Sequence, residues 1–206
     1  RQNGYCPLSV LDTYPADGEP VILTEYAHSM GNSPGGLADY WKKIYHTDWF
    51  IGGFIWELKN HGFYSKGKDG KARYLYGGDF GDYNHYSNFT LDGLLFSDGR
   101  EKPAMREVFQ VYSPVWVEYR DGIKLMNTMD FTDLSELTVK WELLEDYNIL
   151  KSGNMRAPKA SPHTEVEFDP GYGYFEPVPG AEYYVNLEFF KNGKSVGISQ
   201  IKLPIK

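Results

Sequence analysis

The chain has 206 residues, 41% apolar and 24% charged, proportions of ordinary folded proteins that set aside disordered and collagen-like classes. Its formal net charge is −7 with no basic block, so it carries no electrostatic footprint for nucleic-acid phosphates or an anionic membrane surface, and a neutral ligand is favoured. No run approaches the ~20 apolar residues of a membrane span, the N-terminus lacks the charged and apolar regions of a signal peptide, and the one cysteine, Cys6, cannot form an internal disulfide. The compartment, cytoplasmic or periplasmic, stays open.

Residues 1–20 carry Gly4, Pro7, Pro15, Gly18 and Pro20 and read as a loop. Val21-Ile22-Leu23-Thr24 follows, an apolar run without alternation, the pattern of a strand buried on both faces in a parallel sheet or barrel. Glu25 stands where it ends. After the loop Gly31-Asn32-Ser33-Pro34-Gly35-Gly36, the residues Leu37, Trp41, Ile44 and Tyr45 recur at helical spacing and predict an amphipathic helix over 37–45. Ile51-Gly52-Gly53-Phe54-Ile55-Trp56 is a second buried strand, and strand, helix, strand is one βαβ unit of a parallel sheet. Residues 66–73, rich in Gly and Lys, read as an exposed loop, and 77–92 as a longer irregular stretch of the kind that often carries function. Pro103 near a helix start, with Ala104, Val108, Val111 and Tyr112 on one face, marks a helix over 102–112.

Beyond Pro114 the period changes to two. Runs at 115–119, 137–143 and 181–189 alternate apolar with polar residues and are separated by turn signals at Asp121-Gly122, Asn192-Gly193 and 170–180. Strands of that kind over about 90 residues indicate an antiparallel sandwich of immunoglobulin-like type. Two domains are expected, residues 1–113 and 114–206. Aromatic residues reach 17%, which suits sugar binding through ring faces, although strand packing alone is the favoured reading of such a composition.

Thr24-Glu25-Tyr26-Ala27-His28 puts a carboxylate and an imidazole at the end of a buried strand, where barrel enzymes keep their catalytic groups. A paired structural carboxylate fits the same place, and Glu-x-x-His alone is weak evidence for a metal. By the same geometry Trp56 either borders that pocket or caps the core. Asp79 and Asp82 sit in a Gly-rich turn, where Asp bonds locally to backbone. Asn88-Phe89-Thr90 meets the glycosylation pattern, which is common by chance. His46, His61 and His163 lack metal-ligand spacing and read as surface or packing residues, and His85 lies in a variable loop with no role assigned.

Ile22-Leu23-Thr24-Glu25-Tyr26-Ala27-His28-Ser29-Met30-Gly31-Asn32-Ser33 resembles the nucleophile signature of the large bacterial β-galactosidases of glycoside hydrolase family 2. Gly52-Gly53-Phe54-Ile55-Trp56, Tyr76-Gly77-Gly78-Asp79-Phe80-Gly81-Asp82 and Phe89-Thr90-Leu91-Asp92-Gly93-Leu94 resemble further motifs of that family in the same order. Asn127-Thr128-Met129-Asp130-Phe131-Thr132-Asp133-Leu134 resembles the sandwich that follows the barrel. The resemblance implies an α/β plus all-β chain, the C-terminal portion of a TIM (β/α)8 barrel followed by an immunoglobulin-like β-sandwich.

It also implies a retaining β-galactosidase acting on terminal non-reducing β-D-galactose residues. Glu25 matches the nucleophile, on the seventh barrel strand, and a second carboxylic acid about 5 Å away protonates the leaving oxygen. His28 matches a ligand of a galactose hydroxyl and Trp56 the aromatic platform under the ring. Phe89, through its carbonyl, and Asp92, through its side chain, match the holders of a monovalent cation, sodium or potassium. Asp92 replaces an amide found in a better-known member; it keeps an oxygen ligand but adds charge, which bears on the preferred cation.

In the family the acid/base Glu and the ligands of a catalytic magnesium lie in earlier strands, and only about 24 residues precede Glu25 here. The expectation is therefore a chain with the nucleophile and without the acid/base, two strands of an eight-stranded barrel with open edges, inactive alone. The parent is expected to be a homo-oligomer. Two other readings stand beside this one: a non-catalytic carbohydrate-binding or assembly module built on the sandwich, and a related family 2 hydrolase such as a β-glucuronidase or β-mannosidase. The run from Tyr26 to Asn32 favours the galactosidase, and the sandwich shows no cluster of exposed Trp for a sugar-binding face.

Overall fold

In the computed structural model, which describes residues 2–11, 19–32 and 34–205, the apolar run at the start of the chain becomes the middle strand of a parallel sheet. Its elements are β1 (Gln2–Gly4), α1 (Leu8–Leu11), β2 (Val21–Tyr26), α2 (Leu37–Tyr45) and β3 (Phe50–Ile55), with strand order β1-β2-β3. The β2-α2-β3 crossover is the βαβ unit that the sequence pattern predicts. Leu37 and Ile44 of α2 are buried, as are Val21, Leu23 and Tyr26 of β2 and Phe50 of β3. Burial on both faces of β2 is not what is found: Ile22 and Glu25 are half-buried and Thr24 is exposed. One face of the sheet carries the core, where Leu11, Leu37, Ile44, Ala104, Val108 and Val111 close over the strands. Gly53 permits this packing, because a Cβ there would lie 2.9 Å from Leu23 Cβ and 3.0 Å from the Tyr26 ring.

Two stretches read as loops contain regular structure. Residues 1–20 include β1 and α1; Pro15, Gly18 and the rest of 12–18 lie outside the described residues. Gln2-Asn3-Gly4 has no apolar period, and its strand state comes from parallel pairing with β2, Gln2 opposite Ile22 and Gly4 opposite Glu25. Residues 66–73 form the end of a hairpin, β4 (Phe63–Lys66) with β5 (Ala72–Leu75). Its turn is closed by Gly67 N donating to Lys71 O at 3.0 Å and by an Arg73–Asp69 ion pair at 2.8 Å. Crossed Tyr64 and Tyr74 rings, 5.9 Å apart, brace it. The stretch 77–92 is irregular apart from a 3-10 turn at Ser87–Thr90. Helix α3 (Ala104–Val111) buries Ala104, Val108 and Val111, whereas Tyr112, expected on that face, is exposed.

The chain separates into two compact units, Arg1–Val111 and Tyr112–Lys206. The second is built on strands, β6 (Val115–Tyr119), β7 (Ile123–Asn127), β8 (Thr138–Glu145), β9 (Asn148–Arg156), β10 (Glu165–Phe168), β11 (Tyr183–Lys191) and β12 (Lys194–Lys202), with a 3-10 turn at Leu134–Glu136. They form two antiparallel sheets, ordered β10-β7-β6 and β12-β11-β8-β9. Alternation decides which side chains face inward: Tyr183, Val185, Leu187 and Phe189 are buried, and the residues between them are not. They share one core with Val139, Trp141 and Leu143 of β8 and with Ile123, Leu125 and Phe168 from the other sheet. Asn192-Gly193, the predicted turn between β11 and β12, has positive φ at both residues (51° and 74°), the backbone that an Asn-Gly pair adopts most cheaply. Lys151 fastens the 170–180 segment by donating to the carbonyls of Tyr172 and Tyr174 at 2.7 and 2.8 Å.

Phe189 has no exposed surface. Truncation to Ala removes its transfer energy and leaves a cavity, so Phe189→Ala should cost about 3–5 kcal/mol in urea unfolding of the second unit. A loss below about 1 kcal/mol would show that the two sheets do not close on this ring.

Candidate active site

Each residue of the site is placed by its own stretch of backbone. Glu25 is the penultimate residue of β2, at the C-terminal end of a parallel strand, the end where α/β barrels display functional side chains. Beyond it Ala27 takes a positive φ of 51°, turning the chain so that His28 lies over the strand ends. Trp56 follows β3 directly, its N–H donating to Tyr26 O at 3.0 Å and its carbonyl accepting from Ser29 N at 2.8 Å. The tips of the two neighbouring strands are thereby sewn together.

A second clasp brings in residues much further along the chain. Segments 57–61 and 90–95 run side by side: Glu57 N donates to Asp92 O (3.1 Å), Leu94 N to Glu57 O (2.8 Å), Leu95 N to Leu58 O (2.8 Å) and His61 N to Thr90 O (2.9 Å). The buried Asn60 side chain accepts from Gly93 N at 2.8 Å. A Cβ on Gly93 would fall 2.2 Å from Lys59 C and Asn60 N, so only glycine lets the segments approach this closely.

The clasp buries Asp92, which is 3% exposed. The Trp56 indole N–H donates to Asp92 Oδ2 at 2.9 Å, and His28 Nε2 lies 3.4 Å from the same oxygen. The His28 ring in turn packs 5.4 Å from Phe89 and 5.9 Å from Tyr5. Tyr5 hydrogen-bonds through its side chain to Glu25, and its backbone N–H donates to Glu25 O at 2.6 Å. Partial burial, together with the bond to Glu25 and the surrounding carboxylates, pushes the Tyr5 hydroxyl up to about 12. It therefore stays protonated at neutral pH and acts as a donor. The five residues singled out from the sequence, Glu25, His28, Trp56, Phe89 and Asp92, thus fall in one connected cluster.

Four others belong to it that sequence reasoning missed. Tyr5 reaches Glu25. Glu57 neighbours Asp92, and burial, followed by the hydrogen bond to Asp92 and its charge, pushes the Glu57 carboxyl up to about 7. His61, read as a surface or packing residue, is exposed as expected, with Nε2 3.1 Å from Glu57 Oε2. Lys102 is 6% exposed and reaches the carbonyls of Ser29 and Leu91, both at 3.4 Å. Burial lowers its ammonium, an effect the charge of Asp92 opposes. Asp79 and Asp82 do bond locally, to the N–H groups of Tyr76 and Gly78. His46 bonds within its own helix turn, its Nδ1 donating to Lys42 O at 2.6 Å. His163 pairs with Asp130 at 2.9 Å in the second unit, and His85 Nδ1 accepts from Ser87 N.

Asp92 Oδ1 is buried and has no hydrogen-bond partner among the described residues. A buried acceptor without a donor calls for a cation or a ligand hydroxyl. Among the described residues no group of three or more His, Cys, Asp and Glu side chains converges as a metal site, and no helix is long and apolar enough to cross a membrane.

The family model for the TIM barrel domain of glycosyl hydrolases family 2 matches residues 8–117, more than half of the chain. The chain belongs to that family. A second model, domain 4 of β-galactosidase, matches residues 123–197. The β-galactosidase of Leuconostoc mesenteroides is 37% identical over 163 residues, covering 74% of this chain and 16% of that protein. The β-galactosidase of Oenococcus oeni is 39% identical over 142 residues, with 69% and 13% covered. This chain thus spans less than a fifth of the length of either relative. Among solved structures, the exo-chitosanase of Amycolatopsis orientalis aligns at 13% identity with a TM-score of 0.39, covering 82% of this chain and 18% of that one.

Glu57 generates a pH prediction. Its folded-state pKa is raised to about 7, so between the ordinary carboxylate range and pH 7 the native chain binds more protons than the unfolded one. Stability from this group is therefore full at low pH and lost as pH rises towards 7. Glu57→Gln mimics the neutral form. The melting temperature of the variant minus that of the parent chain should grow from pH 5 to pH 8; a constant difference would refute the assignment.

Proposed function

We propose that this chain carries the nucleophile of a retaining β-galactosidase that releases terminal non-reducing β-D-galactose from β-galactosides. What carries the reading is Glu25 at the C-terminal end of a parallel strand, held by the Tyr5 hydroxyl beside the His28–Asp92–Trp56 cluster. The Glu25 carboxylate attacks the anomeric carbon, the bond to the aglycone oxygen breaks, and a carboxylic acid gives that oxygen its proton; water then hydrolyses the glycosyl ester with net retention. Tyr5, protonated throughout, orients Glu25 by donating to it. His28 and the 38% exposed Trp56 would bind a galactose hydroxyl and the apolar face of the ring.

The acid/base role is not given to Glu57, because its proton is shared with Asp92. On the resemblance, that carboxyl and the magnesium ligands belong to other barrel strands. The donorless Asp92 Oδ1 fits a monovalent cation, sodium or potassium, with the Phe89 carbonyl as a second ligand. Such an ion would supply a positive charge that fixes a sugar hydroxyl. Residues 1–113 are read as the barrel portion and 114–206 as an immunoglobulin-like sandwich, a reading supported by sheets of three and four antiparallel strands. A homo-oligomeric parent rests on the resemblance alone. The relatives' names and the run from Tyr26 to Asn32 favour galactosides over other sugars.

The test is a chimera in which this chain replaces the matching segment of the Leuconostoc mesenteroides β-galactosidase. It should hydrolyse an aryl β-galactoside, and Glu25→Gln should lower kcat by more than about 10³-fold without lowering Tm. Retention of more than a few per cent of the rate would remove Glu25 as nucleophile. In the same chimera Trp56→Ala should weaken galactose binding by about 1–3 kcal/mol, seen in KM. A fall in Tm with KM unchanged would make the ring a core residue instead.

A further inference from the structure

The outer face of the β12-β11-β8-β9 sheet is built of side chains that do not belong to the core. Cross-strand register sets them in rows: Leu144, Tyr184 and Lys202 lie opposite one another, and Glu142, Asn186 and Gln200 form the next row. At the end of β8 the chain reverses through Asp146, whose φ is 51°. That turn is clamped to the start of β11 by Asp146 N donating to Glu182 O (2.7 Å) and Glu182 N donating to Asp146 Oδ1 (2.9 Å). Between turn and sheet lies a depression of about 260 Å³ lined by Leu144, Asp146, Tyr147, Glu182, Tyr184 and Gln200.

We propose that this depression is a second, non-catalytic saccharide site that takes one pyranose ring of a neutral glycoside. Its volume falls just below the ~300–1,000 Å³ of drug-sized ligand sites, which suits one ring rather than a longer chain. Tyr147, 97% exposed, lines the hollow together with Leu144 and Tyr184, an aromatic and apolar lining of the kind that packs on the C–H surface of a sugar. The polar atoms are already oriented. Glu182 accepts from Lys202 Nζ and from the Tyr184 hydroxyl, and Gln200 Nε2 donates to Asn186 Oδ1 at 2.8 Å, which fixes the amide and leaves its oxygen as an acceptor. Each carboxylate oxygen keeps a further lone pair for a hydroxyl.

Charge selects the ligand class. An anion would meet Asp146 and Glu182, and a cation would meet the Lys202 ammonium, which lies 5.8 Å over the Tyr184 ring. A neutral polyol, able to donate to carboxylates and to the amide oxygen, avoids both penalties. The site stands wholly within the second unit and does not depend on the reading of Glu25.

The experiment is a titration of the 15N-labelled chain 1–206 with methyl β-D-galactoside and, separately, methyl β-D-glucoside, followed by NMR. Amide signals of Tyr147, Tyr184 and Gln200 should shift saturably with a dissociation constant on the order of 1–10 mM. Tyr147→Ala, at a position exposed enough to leave folding alone, should weaken binding at least about fivefold with Tm unchanged, and Gln200→Ala should act in the same direction. Absence of saturable shifts at these residues up to about 50 mM of either sugar, or undiminished binding by Tyr147→Ala, would overturn the proposal. Shifts confined to Glu25, His28 and Trp56 would overturn it too, while leaving the barrel-site reading intact.

Discussion

Asp92 is a carboxylate almost wholly withdrawn from water, and the surrounding site compensates it. Burying such a group costs several kcal/mol unless donors or opposite charges take the place of the lost solvent. The Trp56 indole supplies a donor to Oδ2, His28 approaches the same oxygen, Glu57 shares a proton, and Lys102 brings a positive charge from beneath. Each compensating group is also a positioning device. The indole bond sets the plane of the exposed Trp56 ring, and Lys102, by reaching both Ser29 O and Leu91 O, ties the loop after β2 to the loop that carries Asp92. The electrostatic demand of one side chain thereby becomes the geometry of the whole pocket.

The two units of the chain solve different problems. The first builds a sheet with one covered face and places its chemistry at strand ends, where side chains from different strands converge. The second closes two sheets on a common core and leaves a patterned outer face. In both, regular alternation or helical spacing decides the interior, and the polar chemistry sits where the regular pattern breaks.

That division explains what could be read in the sequence. Helices α2 and α3, the strands β2, β3, β6, β8 and β11, and the Asn192-Gly193 turn follow from local periodicity and turn chemistry, which nearby residues encode. β1 and the β4-β5 hairpin escaped because their strand state depends on a partner rather than on their own pattern. The motif residues Glu25, His28, Trp56, Phe89 and Asp92 were found through resemblance, but Tyr5, Glu57, His61 and Lys102 were not. Tyr5 lies in a stretch that looks like a loop, and the contact of Glu57 with Asp92 spans residues far apart in sequence. Only the clasp between segments 57–61 and 90–95 brings them together. A signal was present in Gly93, since a glycine without a Cβ is suited to a close backbone approach.

Gly93 sets a steric limit on its own replacement. The backbone of Lys59 and Asn60 occupies the space where any side chain at 93 would begin. The neighbouring Asp92 meets its partners through side-chain atoms, whose torsions can adjust. The position at 93 has no such latitude: the same contact that lets the pocket form removes every substitution from its neutral repertoire. Any side chain at 93 would have to push segments 57–61 and 90–95 apart, and with them undo the burial of Asp92.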